Sequence, residues 1–119
     1  MPYIDGFVIA APNAGKDKFL DHARRMDAVF LELGALRVVE AWGDDVPDGT
    51  QTDFRRAVQA KPEETVVFAW VEWPDKATRD AAMAKMRADP RMTAEPPPFD
   101  GRRMIFGGFE VLVDMAGAA

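Results

Sequence analysis

The chain contains no cysteine. Disulfides, thiolate metal sites and cysteine nucleophiles are therefore excluded, and the absence fits a reducing compartment. Serine is missing too, which excludes a serine nucleophile. His22 is the single histidine, and a zinc site draws on three or four ligands. Positive charge is in short supply, with 15 Lys and Arg against 20 Asp and Glu and a net charge of −5. A nucleic-acid surface needs a basic patch to neutralise phosphates. The basic doublets Arg24-Arg25, Arg55-Arg56 and Arg102-Arg103 are diluted by nearby acids. Nucleic acid is not an expected partner. Long apolar runs are lacking: Phe7 to Ala11 falls far short of the about 20 residues that span a bilayer. No basic segment precedes that run, so neither a signal peptide nor a membrane partner is expected. The expected location is the cytoplasm.

What is present describes a globular protein. Its 119 residues, 48% hydrophobic and 29% charged, match one domain that buries a core without staples. Residues 3–11, YIDGFVIAA, read as a strand ended by Pro12-Asn13-Ala14-Gly15. Phe19, Ala23, Met26, Phe30 and Leu33 form one stripe of a helix over 16–34, with Gly34 as its stop. Residues 35–42 predict a second strand and 53–60 a short helix beginning near Asp53. Residues 65–73, TVVFAWVEW, predict the third strand, and 75–88 a second long helix opened by Pro74-Asp75. Glu95-Pro96-Pro97-Pro98 must be extended. Asp100-Gly101 leads into a last strand over 102–114, where Gly107-Gly108 suggests a bulge or a close approach. The order β-α-β-β-α-β predicts an α+β, ferredoxin-like fold over residues 1–119, an antiparallel sheet with both long helices on one face.

Side-chain size suggests which face is which, because strand residues alternate sides. The smaller sets, such as Ile4, Gly6 and Val8 with Val67, Ala69 and Val71, suit close-packed helices. The larger sets then face away: Tyr3, Asp5, Phe7 and Ile9; Val38, Glu40 and Trp42; Phe68, Trp70 and Glu72; Phe106, Gly108 and Glu110. Such an aromatic face marks a partner or ligand surface. Two sheets packed face to face would cover it, giving a homodimer with an apolar cavity between them. Acids in that cavity would be desolvated, and a desolvated carboxyl can serve proton transfer. Asp5 is the candidate catalytic acid. Phe7, Glu40, Trp42, Trp70, Glu72, Phe106 and Glu110 are the candidate substrate-binding residues.

The words YIDGF, GALRVVEAWGDDVPDG, TDFRRAV, VVFAWVEWPDKATRDAAMAKM, ADPRM and PFDGRRMIFGGFE occur in order from Tyr3 to about Asp114. Together they resemble the YbaA-like bacterial family, a domain of unknown function; the Pro96-Pro97-Pro98 run departs from its pattern. The resemblance implies a dimeric α+β barrel. The wider superfamily includes cofactor-independent monooxygenases, isomerases, and chlorite-dismutase-like and haem-degrading enzymes. It carries over no catalytic residue.

Other acids carry less. Asp44, Asp45 and Asp48 lack the spacing and the distal glutamate of a calcium loop, and read as a solvated turn after the strand. His22 lies at the edge of its helix stripe, where a boundary role is expected. No Gly-rich phosphate loop follows a strand, so no nucleotide and no other cofactor is expected. The residues name no reaction, and the expectation is an uncharacterised dimeric barrel protein; the resemblance adds the reading of a cofactor-independent enzyme of the oxygenase or isomerase type on a small apolar or aromatic molecule. The alternative is a non-catalytic dimer that binds a small molecule or a protein.

Overall fold

The computed structural model describes residues 1–118. Its elements are β1 (Tyr3–Pro12), α1 (Lys16–Glu32), β2 (Arg37–Trp42), α2 (Phe54–Ala57), β3 (Glu64–Trp73), α3 (Lys76–Arg87) and β4 (Ile105–Glu110). Single 3-10 turns occupy Asn13–Gly15 and Pro90–Met92. The strands form one antiparallel sheet in the order β2-β3-β1-β4. This is the ferredoxin-like arrangement that the order of elements predicts, with α2 as one added turn.

Local chemistry sets the helix boundaries. Gly34 follows α1 with φ of 113°, a left-handed geometry that glycine adopts without steric cost. The Asp53 side chain accepts a hydrogen bond from the backbone N–H of Arg56 at 2.7 Å and so starts α2. Asp75 does the same for α3, through the Thr78 N–H at 2.7 Å. Asp53 also accepts the Gly49 N–H at 3.1 Å, which ties the aspartate-rich loop into a turn. Among the described residues, no group of three or more His, Cys, Asp or Glu side chains is placed to hold a metal ion.

The faces differ from the expectation drawn from size. Residues directly opposite in an antiparallel pair share a face. Phe7 is opposite Ala69 and Phe106, and Glu40 and Trp42 are opposite Ala69 and Val67. Ala69 and Val67 pack with Phe19 and Ala23 of α1, while Tyr3, Val71 and Trp73 pack with Ala82 of α3. The large residues of β1 and β2, including Asp5, Phe7, Glu40 and Trp42, therefore face the helices, and Phe106 shares that side on β4. Only on β3 do the large residues, Phe68, Trp70 and Glu72, face away. Small residues of one strand lie beside large ones of the next, so size within a strand does not report its face. The open face is partly covered: Val58, just after α2, buries Ala10 and Val66.

The last strand is also shorter than expected. It spans 105–110 rather than 102–114. At its start, Asp100 accepts the Arg102 N–H at 3.0 Å and holds a turn. At its end, Glu110 lies opposite Tyr3, the first residue of β1, so the ladder runs out of partner. The Gly107-Gly108 pair makes no bulge, since the register is continuous. It serves close approach: a Cβ on Gly108 would collide with the Tyr3 hydroxyl.

Two buried acids are neutralised within the fold. Asp5, 3% exposed, accepts hydrogen bonds from Trp73 Nε1 at 2.9 Å and Arg79 Nη2 at 2.8 Å. Glu64 receives both Arg103 guanidinium nitrogens, Nη1 at 2.8 Å and Nη2 at 2.7 Å. Arg79→Ala leaves Asp5 buried beside a lost cation. It is expected to destabilise the protein by about 3 kcal/mol, the low end for a broken buried pair because Arg79 is partly exposed. Urea unfolding measures this, and an unchanged midpoint would contradict it. The Arg103 bond holds the Glu64 carboxyl down to about 2, from an ordinary 4.5. A carboxyl depressed by folding stabilises fully above its unfolded pKa and loses that effect as pH falls through its folded one. Stability is thus expected to drop between pH 4.5 and pH about 2. The Glu64→Gln variant should show a shallower drop in thermal scans over that window.

Candidate functional site

The helical side of the sheet does not close completely. Between α1, the centre of the sheet and the strap formed by residues 92–104 lies a cavity of about 250 Å³. Phe7 and Ile9 from β1, Ala69 from β3, and Phe19, Ala23, Met26 and Phe30 from α1 supply most of its wall. Met92, Pro97, Phe99 and Met104 of the strap roof it. The roof is packed, not loose: the Phe99 ring sits 6.0 Å from Phe19 and 5.8 Å from His22. One end of the strap is tied by Arg25, which donates to Glu95 at 3.1 Å on the surface. The other end is tied by the buried Arg103–Glu64 pair.

Two carboxyl groups interrupt this apolar wall. Asp27 comes from α1, one turn after Ala23, and Glu40 comes from β2, directly opposite Ala69. Their carboxyls lie close enough to share a hydrogen bond when Glu40 is protonated. The Glu40 Oε1 atom is buried and has no hydrogen-bond partner among the described residues. Burial, and then the Asp27 carboxyl beside it, push Glu40 up to about 8. Burial also raises Asp27, opposed by the hydrogen bond from Glu40. Near neutral pH Glu40 therefore keeps its proton, and both carboxyls are shifted toward the protonated form, the behaviour of interacting acids in a poorly solvated site. His22 lines the same cavity. Burial, with help from Arg25, lowers its pKa, so its imidazole is neutral at pH 7.

The residues singled out from the sequence are divided by this geometry. Phe7 and Glu40 meet in the cavity. Asp5 lies apart from it, engaged by Arg79 and Trp73 beneath α3. Trp42 packs edge-on against Phe19 at 6.1 Å, in the neighbouring core. Trp70 touches the cavity wall, but its ring lies 5.8 Å from that of Phe68 and its Nε1 donates to Glu72 at 2.9 Å on the open face. Phe106 stacks on Phe7 at 6.3 Å and is otherwise exposed, as is Glu110 at the end of β4. Asp27 was not anticipated. Its signal was an acid at the i+8 position of the stripe through Phe19 and Ala23, where an apolar residue would ordinarily fall.

The open face carries a second, wider hollow of about 680 Å³, lined by Ile4, Val8, Phe68, Trp70, Ile105 and Phe109 with the segment after β4. Phe68 is 44%, Ile105 45% and Phe109 61% exposed. Its floor is almost wholly apolar, and no paired acids lie in it like those on the helical side.

The architecture is that of an α+β, ferredoxin-like protein with an acid-bearing cavity between its sheet and first helix. The chain belongs to the family described as "Protein of unknown function (DUF1428)", whose model matches residues 2–101. It is 54% identical over 116 residues to the "Uncharacterized protein YbaA" of Escherichia coli K12, covering 96% of this chain and 99% of that one. The protein of the same name from Shigella flexneri matches equally well. Among solved structures, a dimeric ferredoxin-like protein from an uncultured marine organism aligns with a TM-score of 0.55. It is 16% identical and covers 98% of this chain and 100% of its own. HapK from Hahella chejuensis aligns with a TM-score of 0.50 at 19% identity, with full coverage of both chains. At these identities the likeness is one of fold.

The Glu40 environment makes a prediction opposite in sign to that for Glu64. A carboxyl whose pKa rises on folding stabilises fully below its unfolded value and loses that effect as pH rises through the folded one. Stability is expected to decline as pH climbs from 4.5 to about 8. In Glu40→Gln, whose amide can still donate to Asp27, the decline should flatten. A carbon-13 NMR titration of the Glu40 carboxyl reads the same effect directly, and a midpoint near 4.5 would refute the raised pKa.

Proposed function

We propose that the protein is a cofactor-independent enzyme of the isomerase or oxygenase type, acting on a small, largely apolar molecule in the helix-side cavity. Both reaction types begin by moving a proton. Asp27 is the base in this reading, and Glu40, raised to about 8, holds a proton beside it near neutral pH. The observation that carries it is the buried, unpartnered Oε1 of Glu40 inside an apolar cavity. Fully hydrogen-bonded carboxyls are common structural devices. An orphaned one beside a second acid is costly, and such costs concentrate at sites of chemistry or binding. The cavity lies just below the usual size of drug-sized ligand sites, which restricts it to compact molecules.

The proposed assembly is a homodimer through the open sheet face. Exposed Phe68, Ile105 and Phe109 form a patch of the kind that soluble proteins cover with a partner. A structural relative of the same fold is described as dimeric, and a two-fold pairing of sheets is self-complementary. In this arrangement the cavities stay on the outer, helical sides, one per protomer. The interface itself is then packing rather than a site.

A metabolite screen read by thermal shift tests the cavity. A ligand should raise the melting temperature of the parent protein, since binding only the folded state stabilises it. Ala69→Leu places extra carbon in the cavity between Phe7 and Glu40 and is expected to abolish that response, at a folding cost of about 1–3 kcal/mol. Turnover found with any hit should fall at least about a hundredfold in Asp27→Asn, the scale of a lost general base. Binding that persists without turnover in the parent protein would make it a carrier or sensor instead. For the assembly, sedimentation velocity should show a dimer at micromolar concentration and a monomer for Phe109→Asp. A monomeric parent protein would overturn the dimer.

A further inference from the structure

The chemistry of the cavity wall restricts its ligand further than size does, on the reading that the cavity is the functional site. Charge within reach is of one sign. From α1 come Asp27 and His22, from β2 Glu40, and from the strap Glu95 at the exposed edge. β1 and β3 contribute only apolar or aromatic residues, and no lysine or arginine lines the cavity. Arg25, which pairs with the strap through Glu95, is engaged by Asp21 and Glu95 at 3.2 and 3.1 Å. An anionic ligand would therefore meet two carboxyls with nothing to neutralise it. The Asp27–Glu40 pair, by contrast, presents carboxyl oxygens that accept from a cation and gains negative charge as its members ionise. Among the described residues none partners the buried Oε1 of Glu40, which leaves it open to a ligand N–H. Four phenyl rings, Phe7, Phe19, Phe30 and Phe99, line the same cavity, and the face of such a ring attracts a cation.

We propose that the cavity takes a small aromatic or alicyclic amine in its ammonium form, its cationic end against the Asp27–Glu40 pair and its body among these rings. One N–H donates to Glu40 Oε1, and the positive charge offsets the Asp27 carboxylate. The complex is then neutral overall while Glu40 keeps its proton. As pH rises and Glu40 ionises, a second negative charge appears and the ammonium ion binds more tightly. Neutral imidazole at His22 offers no opposing charge.

Three probes of matched shape test this: 2-phenylethylammonium, 2-phenylethanol and 3-phenylpropanoate. Each is titrated into the whole protein and followed by amide shifts of residues around Ala69 and Glu40. The ammonium probe is expected to bind at least about tenfold tighter than the alcohol, the scale of one uncompensated buried charge contact, and the carboxylate is expected not to bind. Its affinity should rise severalfold from about pH 6 to about pH 8 as Glu40 loses its proton. Asp27→Asn should erase the preference for the ammonium probe while leaving the alcohol's affinity within about threefold, and Glu40→Gln should erase the pH dependence. Equal or tighter binding of the alcohol or the carboxylate would overturn the ammonium assignment and leave the cavity standing. Shifts from none of the three, in a protein whose spectrum shows it folded, would overturn the assignment and the cavity reading together. Shifts confined to the open face would do the same.

Discussion

Antiparallel pairing places Ala69 directly between Phe7 on one neighbouring strand and Glu40 on the other. A single methyl group at that point leaves room that a larger residue would fill. Phe7 leans over one side of the gap, Glu40 borders the other, and α1 closes the top with Phe19, Ala23 and Phe30. The floor of the cavity is thus set by cross-strand register, and the strap supplies only its roof. This explains how a protein of modest size keeps a hollow in its core without a gap in its strand ladder. The register is continuous over all ten β1–β3 pairs, so the walls are rigid where the side chains are most closely matched.

Three solutions to the same electrostatic problem stand side by side in this fold. Asp5 is buried with a guanidinium and an indole N–H. Glu64 is buried with a guanidinium held in a fork, and its carboxyl stays ionised to low pH. Asp27 and Glu40, both half-buried, stand beside each other in a cavity whose described lining holds no lysine or arginine. Burying a carboxyl without a cation is expensive, and a chain that supplies arginines to two buried acids was not short of means to supply a third. The different treatment is what separates the cavity acids from the structural ones. It also explains why Asp5, conspicuous within a hydrophobic strand, is a poor guide to chemistry: its oxygens are already occupied.

Much of the architecture was legible in the residues, because local signals there agree with the tertiary outcome. Asp53 and Asp75 are capping residues in sequence and in space, and Gly34 stops α1 with the backbone geometry its lack of a side chain permits. The order of strands and helices follows directly from such punctuation. The faces of the sheet were not legible in side-chain size, because Phe7 and Ala69 are neighbours on one side and Gly6 and Trp70 on the other. Each face mixes bulky and small residues, so that the layers interlock. Only register, which is non-local, sorts them. The extent of β4 was hidden for a similar reason: RRMIFGGFEVLVD is strand-like throughout, but β1 offers partners only as far as Tyr3. Glu40 was recognised as an acid in an apolar strand. Asp27 was passed over because helices carry many acids, and its place within the apolar stripe is visible only once the opposite wall is known.

The strap over the cavity is fastened unequally. At residue 95 the tie is a surface ion pair, Arg25 with Glu95, both ends wetted and subject to screening by dissolved salt. At residue 103 it is a forked, buried pair continuous with the turn at Asp100. Pro96, Pro97 and Pro98 stiffen the span between them. A stiffened span with one buried and one wetted attachment responds unevenly to its solvent. Added salt weakens the Arg25–Glu95 tie and leaves the Arg103–Glu64 fork almost untouched. The roof of the hollow is therefore most sensitive to ionic strength beside Glu95 and Pro97.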